Sequence, residues 1–243
     1  MNEIYEDAKI LGEYLLFHYG SDDDVLPGEA WPPGMREALG FARRTPRHFT
    51  SSGGKRGLDI GCAVGRATFE MSEFCEEVIG IDYSNAFIAA AEKLRGGETI
   101  SYARMDEGHL TTNLIAKAPQ GVPIDRISFR QGDAMNLPEN LGKFDLVHAA
   151  NLICRLSNPS MLLNRLPSLV NTGGELVLAT PCTWLEEFTP SAEWPEQDTL
   201  SWLERALGGD FSLLAVNDEP FLIRETARKF QWTKSMVSVW KRN

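Results

Sequence analysis

The chain has 243 residues, and its 34 acidic against 24 basic side chains give a formal charge of −10 at pH 7. That balance disfavours general nucleic-acid binding, because phosphates must be met by cations. No apolar run approaches the ~20 residues that span a bilayer, and the start Met1-Asn2-Glu3-Ile4-Tyr5-Glu6-Asp7 is too polar for a signal peptide. The four cysteines, Cys62, Cys75, Cys154 and Cys182, are widely spaced with no Cys-x-x-Cys pair. Reduced thiols in a cytoplasmic protein, and no metal site, are therefore expected. No Pro/Ser/Gly linker separates two apolar halves, so one domain over residues 1–243 is expected.

In chain order, Ile4, Ala8, Leu11 and Leu15 recur at helical spacing and predict an amphipathic helix. It runs through Tyr14, Phe17, His18 and Tyr19 to Gly20, a helix stop. These rings either line a pocket or pack as core. Residues 21–46 read as irregular, with Asp22-Asp23-Asp24 a solvated run and a short helix possible over 35–43.

The core opens at Lys55. Leu58 and Ile60 alternate around Asp59, the small turn Gly61-Cys62-Ala63-Val64-Gly65 follows, and Arg66 begins a helix. A strand, a small-residue turn and a helix cradle a nucleotide-like ligand, since a backbone touching a ligand leaves no room for side chains. Val78-Ile79-Gly80-Ile81-Asp82 is a second strand ending in an acid about 20 residues on, where a carboxylate accepts ribose hydroxyls. Ser84 caps the next helix, over 84–94, and Gly96-Gly97 ends it. Residues 98–123 are an insertion, read as a strand near 99–102 and a helix over 110–118. Strands follow at 126–130, 144–150 and 175–179, with a helix at 159–170; residues 211–216 and 235–240 read as closing strands. Strands alternating with helices mean a mostly parallel sheet covered on both faces.

Ligands of such sheets sit beyond the carboxyl ends of the strands, which collects Asp59, Asp82, Asp133 and Asn151. Within the fourth strand His148 reads as a buried core histidine, with a base as the alternative. Arg224 reads as a surface partner of Glu225 or as a carboxylate-binding fork.

Asp59-x-Gly61-x-Ala63-x-Gly65 followed by Asp82 resembles the first two motifs of the Rossmann-like S-adenosylmethionine (SAM) methyltransferases, and Gly132-Asp133-Ala134 resembles the third. The resemblance implies a seven-stranded sheet with an antiparallel closing pair, and SAM as cofactor. It implies Asp59, Gly61, Cys62, Ala63, Gly65 and Arg66 as its cradle. Asp82, Tyr83 and Ser84 would meet the ribose side, Asp133 and Ala134 the adenine, and Ala149 the methionine part. Ala63 stands where glycine is common, a change that alanine tolerates at negative φ.

Tyr14-Leu15-Leu16-Phe17-His18-Tyr19-Gly20, Ala149-Ala150-Asn151-Leu152-Ile153, Thr183-Trp184-Leu185-Glu186-Glu187 and Ile223-Arg224-Glu225-Thr226 extend the likeness. Together they resemble the methyltransferase domain of ovothiol biosynthesis, the 4-mercaptohistidine N-methyltransferase that forms the C-terminal part of OvoA behind an iron-dependent sulfoxide synthase. Cys154, Cys182 and Trp232 depart from that pattern. The resemblance implies an N-terminal helical cap (1–50), a SAM-binding core (55–180) and a substrate-side region (181–243). It implies a small-molecule acceptor, 5-thiohistidine, methylated on the ring nitrogen nearest its side chain. Asn151, Tyr14 and His18 are the candidate catalytic residues, and Phe17, Tyr19, Trp184, Arg224 and Glu225 the candidate substrate contacts. Arg66 and Tyr19 are candidate thiolate donors. A separate iron-dependent synthase is the implied partner. The alternatives are another small-molecule N- or O-methyltransferase and a non-catalytic SAM-binding subunit.

Overall fold

The computed structural model describes residues 3–28 and 30–243; Met1, Asn2 and Glu29, parts of the polar start and the irregular stretch, lie outside the described residues. The chain opens with a 3-10 turn, Glu3–Glu6, and helix α1, Ala8–Tyr19. Asp7 caps α1 by accepting the Lys9 N–H at 2.6 Å, and Gly20 closes it by donating to the Leu16 carbonyl. Short helices α2 (Asp22–Val25) and α3 (Phe41–Arg44) follow. The predicted helix over 35–43 is thus a series of turns ending in a single helical turn at Phe41. The acid run is ordered: Asp22, Asp23 and Asp24 form the first turn of α2, where carboxylates favour a helix N-terminus.

Nine strands follow or interleave with four further helices. They are β1 (Gly54–Ile60), α4 (Arg66–Met71), β2 (Cys75–Asp82), α5 (Asn85–Arg95), β3 (Ile100–Glu107), β4 (Leu110–Ala116), β5 (Ile127–Gln131), β6 (Phe144–Ala150), α6 (Pro159–Leu169), β7 (Val170–Thr180), α7 (Thr199–Leu207), β8 (Phe211–Arg224) and β9 (Phe230–Arg242). Seven strands form one sheet in the order β5-β2-β1-β6-β7-β9-β8. The first five are parallel, and β9 runs antiparallel to both its neighbours. This is the Rossmann-like methyltransferase fold that the sequence motifs imply.

Alternation along β1 decides which face each side chain serves. Leu58 and Ile60 enter the core on the α6/α7 side, with Val147, Leu176 and Trp240. Asp59 points to the other face, where Thr68 of α4 donates to it. On that face α1 and α5 bury Leu15, Leu16, Phe87 and Leu94 against Phe69 and Phe129.

The insertion corrects one expectation: residues 110–118 are not helical. β3 and β4 form an antiparallel hairpin with the register Tyr102↔Leu114. Leu110, Leu114 and Ala118 carry helical spacing, but Thr111, Thr112 and Ile115 are β-branched and favour a pleated surface. The closing strands are longer than expected, and only the turn between Arg224 and Phe230 separates them.

Candidate active site

The strand order reverses between β1 and β6: the chain fills one side of the sheet through β5, then returns to the other. Crevices form at such a switch point, outside the carboxyl ends of the strands. A cavity of about 240 Å³ lies there, lined from β1 by Asp59 and Gly61, from β2 by Asp82, from the end of β6 by Asn151, and from α1 by Tyr14 and His18.

The turn after β1 is tied to β2 by its backbone. The N–H groups of Gly61 and Cys62 both donate to the Ile81 carbonyl, at 2.7 and 3.0 Å. The Ala63 N–H donates to Asp82 Oδ2 at 2.8 Å, and the Ser84 N–H to Asp82 Oδ1 at 2.9 Å. Gly65 has φ +90°, and a Cβ there would stand 2.6 Å from the Phe129 ring. Only glycine meets both demands, the left-handed backbone and the close approach. Ala63 is the surprise. It has φ +48°, not a negative value, so the alanine is strained and the Asp82 bond helps hold it. Burial raises the Asp82 carboxyl to about 6, against the lowering effect of the backbone donors Ser84 and Ala63.

Most of the expected cofactor residues meet here: Cys62, Ala63, Tyr83 and Ala134 line the cavity beside Asp59, Gly61 and Asp82. Gly65 and Ser84 support it from behind, Ser84 by capping α5 and donating to the Tyr5 carbonyl. Asp133 does not line it, because its Oδ1 accepts the Met135 N–H; the neighbouring Gly132 does. Ala149 points to the opposite face of the sheet. Arg66 turns away to Glu70.

The expected acceptor-side residues divide. Tyr14, Phe17 and His18 line the cavity. Asn151 lines it too, held at φ +53° with its Oδ1 taken by the Ser235 hydroxyl at 2.6 Å. Its amide N–H₂ is what remains to meet a ligand. Tyr19 is not part of this lining: its hydroxyl donates to the Val64 carbonyl and its ring lies against Arg66. Neither is Trp184, which packs edge-on against Trp202 and donates to Thr199. Arg224 is buried in an ion pair with Asp106 and donates to the Val25 carbonyl. Glu225 pairs with Lys229. The substrate fork expected of Arg224 and Glu225 is therefore not formed at this cavity. Cys154 is fully buried behind it, and neither Cys154 nor Cys182 is among its lining.

Thr45 and Arg155 are contributors that the sequence reading does not single out; His148, read there as a buried core histidine with a base as the alternative, is buried and lines the cavity as well. Thr45 lines the cavity with its hydroxyl buried and without a partner among the described residues. Arg155 reaches it from the turn after β6 and makes no ion pair among the described residues. His148 lies opposite Asp59 in the β1/β6 register, and its Nδ1 is 2.8 Å from Asp59 Oδ1. The signal of His148 in the sequence is a histidine inside the apolar run from Leu146 to Ala150; Thr45 has no such signal. Burial lowers His18 to about 3, so its ring is neutral at neutral pH.

These residues fit SAM. The glycine turn leaves backbone open to the cavity and a buried carboxylate faces it. A methyltransferase domain family matches residues 51–212. The ubiquinone biosynthesis O-methyltransferase of Azorhizobium caulinodans is 25% identical over 199 residues, covering 75% of this chain and 68% of that protein. Among solved structures, YcgJ from Bacillus subtilis aligns with a TM-score of 0.57 at 14% identity, over 84% of this chain and 98% of that one. The N-methyltransferase NodS from Bradyrhizobium japonicum WM9, in complex with S-adenosyl-L-homocysteine, aligns with a TM-score of 0.55 at 15% identity, over 97% of this chain and 99% of that one.

Proposed function

We propose a reaction for this chain, which belongs to the methyltransferase domain family and is a SAM-dependent methyltransferase: methyl transfer to a ring nitrogen of 5-thiohistidine (4-mercaptohistidine), giving ovothiol. Residues 1–243 act as one unit, and a separate iron-dependent sulfoxide synthase supplies the acceptor. The observation that carries the reading is the single cavity that joins the Gly61 turn and Asp82 to Tyr14, Phe17 and His18 of α1. The choice of acceptor is supported by the stretches beyond the cofactor motifs that resemble the ovothiol methyltransferases.

SAM supplies an activated methyl group on a sulfonium, open to in-line displacement. The backbone of Gly61, Cys62 and Ala63 and the Asp82 carboxylate hold the cofactor end. Phe17 and the neutral His18 ring give the acceptor a flat, mostly apolar wall, and the Asn151 amide is a donor at the end of β6. Their main contribution is alignment, because holding two reacting atoms roughly 3–3.5 Å apart removes the entropic cost of encounter. Arg155 is the cation available to an anionic group of the bound pair, in place of Arg224 or Arg66.

The test is competition between 5-thiohistidine and histidine in one vessel, with kcat/KM taken from the ratio of products. A site built to receive a thiolate leaves its donors unpaired when histidine binds, so a preference of up to ~10⁴-fold for 5-thiohistidine is expected. Equal use of the two acceptors would remove 5-thiohistidine as the substrate while leaving the methyltransferase assignment in place.

A further inference from the structure

His148 and Asp59 are each 1% exposed, yet both line the cavity. Both Asp59 oxygens are occupied: Oδ2 accepts the Thr68 hydroxyl at 2.6 Å and Oδ1 faces His148 Nδ1 at 2.8 Å. An ionised Asp59 therefore places the His148 proton on Nδ1 and leaves Nε2 as a bare acceptor. Nε2 is buried and has no hydrogen-bond partner among the described residues, and the same holds of His18 Nδ1 and Thr45 Oγ1 of the same cavity. Buried polar atoms are nearly always bonded, so three orphans lining one cavity mark the place of a polar ligand.

Of the three, only His148 has its tautomer fixed by a carboxylate. Asn151 cannot take the role, because a neutral amide does not accept a proton near neutral pH; its Oδ1 accepts a hydrogen bond from Ser235. The titratable groups that feel the Asp59 charge are His18 and Tyr19 on α1, Cys62 in the turn after β1 and Asp82 at the end of β2, and Arg66 at the start of α4 acts on His18 and Tyr19.

We infer that His148 Nε2 accepts the acceptor's ring N–H and takes its proton during methyl transfer, with Asp59 as the positioning residue. The inference rests on the ring-nitrogen reading above. The bond from the attacking nitrogen to the methyl carbon forms, and the sulfur–methyl bond breaks with its electron pair left on sulfur. The proton on the other ring nitrogen passes to His148 Nε2, so the methylated ring leaves without the added charge. Asp59 balances the imidazolium until the proton returns to water.

Two measurements test this. In wild-type protein labelled with ¹⁵N-histidine, His148 should be protonated on Nδ1 and bare on Nε2 at neutral pH; an Nε2–H tautomer overturns the inference whatever the acceptor. In kinetics with SAM and 5-thiohistidine, His148→Gln should lower kcat by about 10²- to 10⁴-fold, with SAM affinity and melting temperature close to wild type. Asp59→Asn should fall by a similar factor and the double variant little further, because the two residues act as a unit. A His148→Gln enzyme as fast as wild type, or one whose loss follows weakened SAM binding and melting, overturns the inference. Absence of turnover by the wild type itself would instead strike at the acceptor assigned above, and the tautomer measurement would still decide the dyad.

Discussion

At Ala63 a left-handed backbone meets a side chain that disfavours it. The penalty for a non-glycine residue there is roughly 1–2 kcal/mol, offset in part by the freedom that glycine adds to the unfolded chain. Ala63→Gly should thus raise the melting temperature by up to about 2–4 °C; a lowered value would show that the strain is not real. Gly65→Ala should do the reverse and more, since its Cβ would meet the Phe129 ring and Ala91 as well as a φ of +90°. Asp82 adds a pH dependence. Its folded carboxyl, at about 6, lies above the ordinary carboxylate value. Its contribution to stability is therefore full below that ordinary value and is lost as pH rises through about 6. In the proposed cofactor site binding runs the other way, because only an ionised Asp82 would accept from both ribose hydroxyls. SAM affinity measured by calorimetry should fall by up to about tenfold per pH unit below that value. Asp82→Asn should bind more weakly and with a flatter pH profile; an unchanged affinity would remove Asp82 from the cofactor site.

The hairpin of β3 and β4 is the element that fixes the cap to the sheet. Arg104 of β3 donates to the Asp24 carbonyl of α2, and Asp106 holds Arg224 of β8 in a buried ion pair. Hydrogen bonds from Thr112, Arg104 and Arg224 outweigh the cost of burial and keep the Asp106 carboxyl below its ordinary range. Asp106→Ala would strand the Arg224 guanidinium, whose side chain is only 1% exposed. A loss of about 1.5–3 kcal/mol is expected, typical of a bond to a charged group. Denaturant unfolding reads it directly, and a variant as stable as the wild type would deny the hairpin this role. The same element shows where sequence reasoning fails. Helix α5 was legible because Ser84 caps it and Gly96 ends it, both local signals. In β4 the apolar spacing fits a helix while Thr111, Thr112 and Ile115 favour a strand, and pairing with β3, a contact outside its own window, decides between them. Arg224 misled for a similar reason: its partner lies 118 residues away.

For the whole molecule, the cavity is assembled from the N-terminal helix, the turn after β1, the end of β6 and the face of β8. The meeting of Asp59, Gly61, Ala63 and Asp82 at the cavity was legible because they lie within one βαβ unit with fixed spacing. The acceptor half was legible only in part: Tyr14, Phe17, His18 and Asn151 line the cavity, whereas Thr45, Arg155 and Phe221 converge on it only when the sheet closes. A ligand that binds this folded assembly and not the unfolded chain must stabilise it. SAM at a hundred times its Kd should add about 2.7 kcal/mol, raising the melting temperature by about 5–10 °C. No shift at that excess would mean that the cavity does not take the cofactor. The acceptor assignment is tested most directly by transfer from SAM carrying a ¹³C-methyl group to 5-thiohistidine, with the product read by NMR. The account predicts the label on the ring nitrogen nearest the amino-acid side chain. Label on sulfur or on the far ring nitrogen, or none in the acceptor, would contradict it.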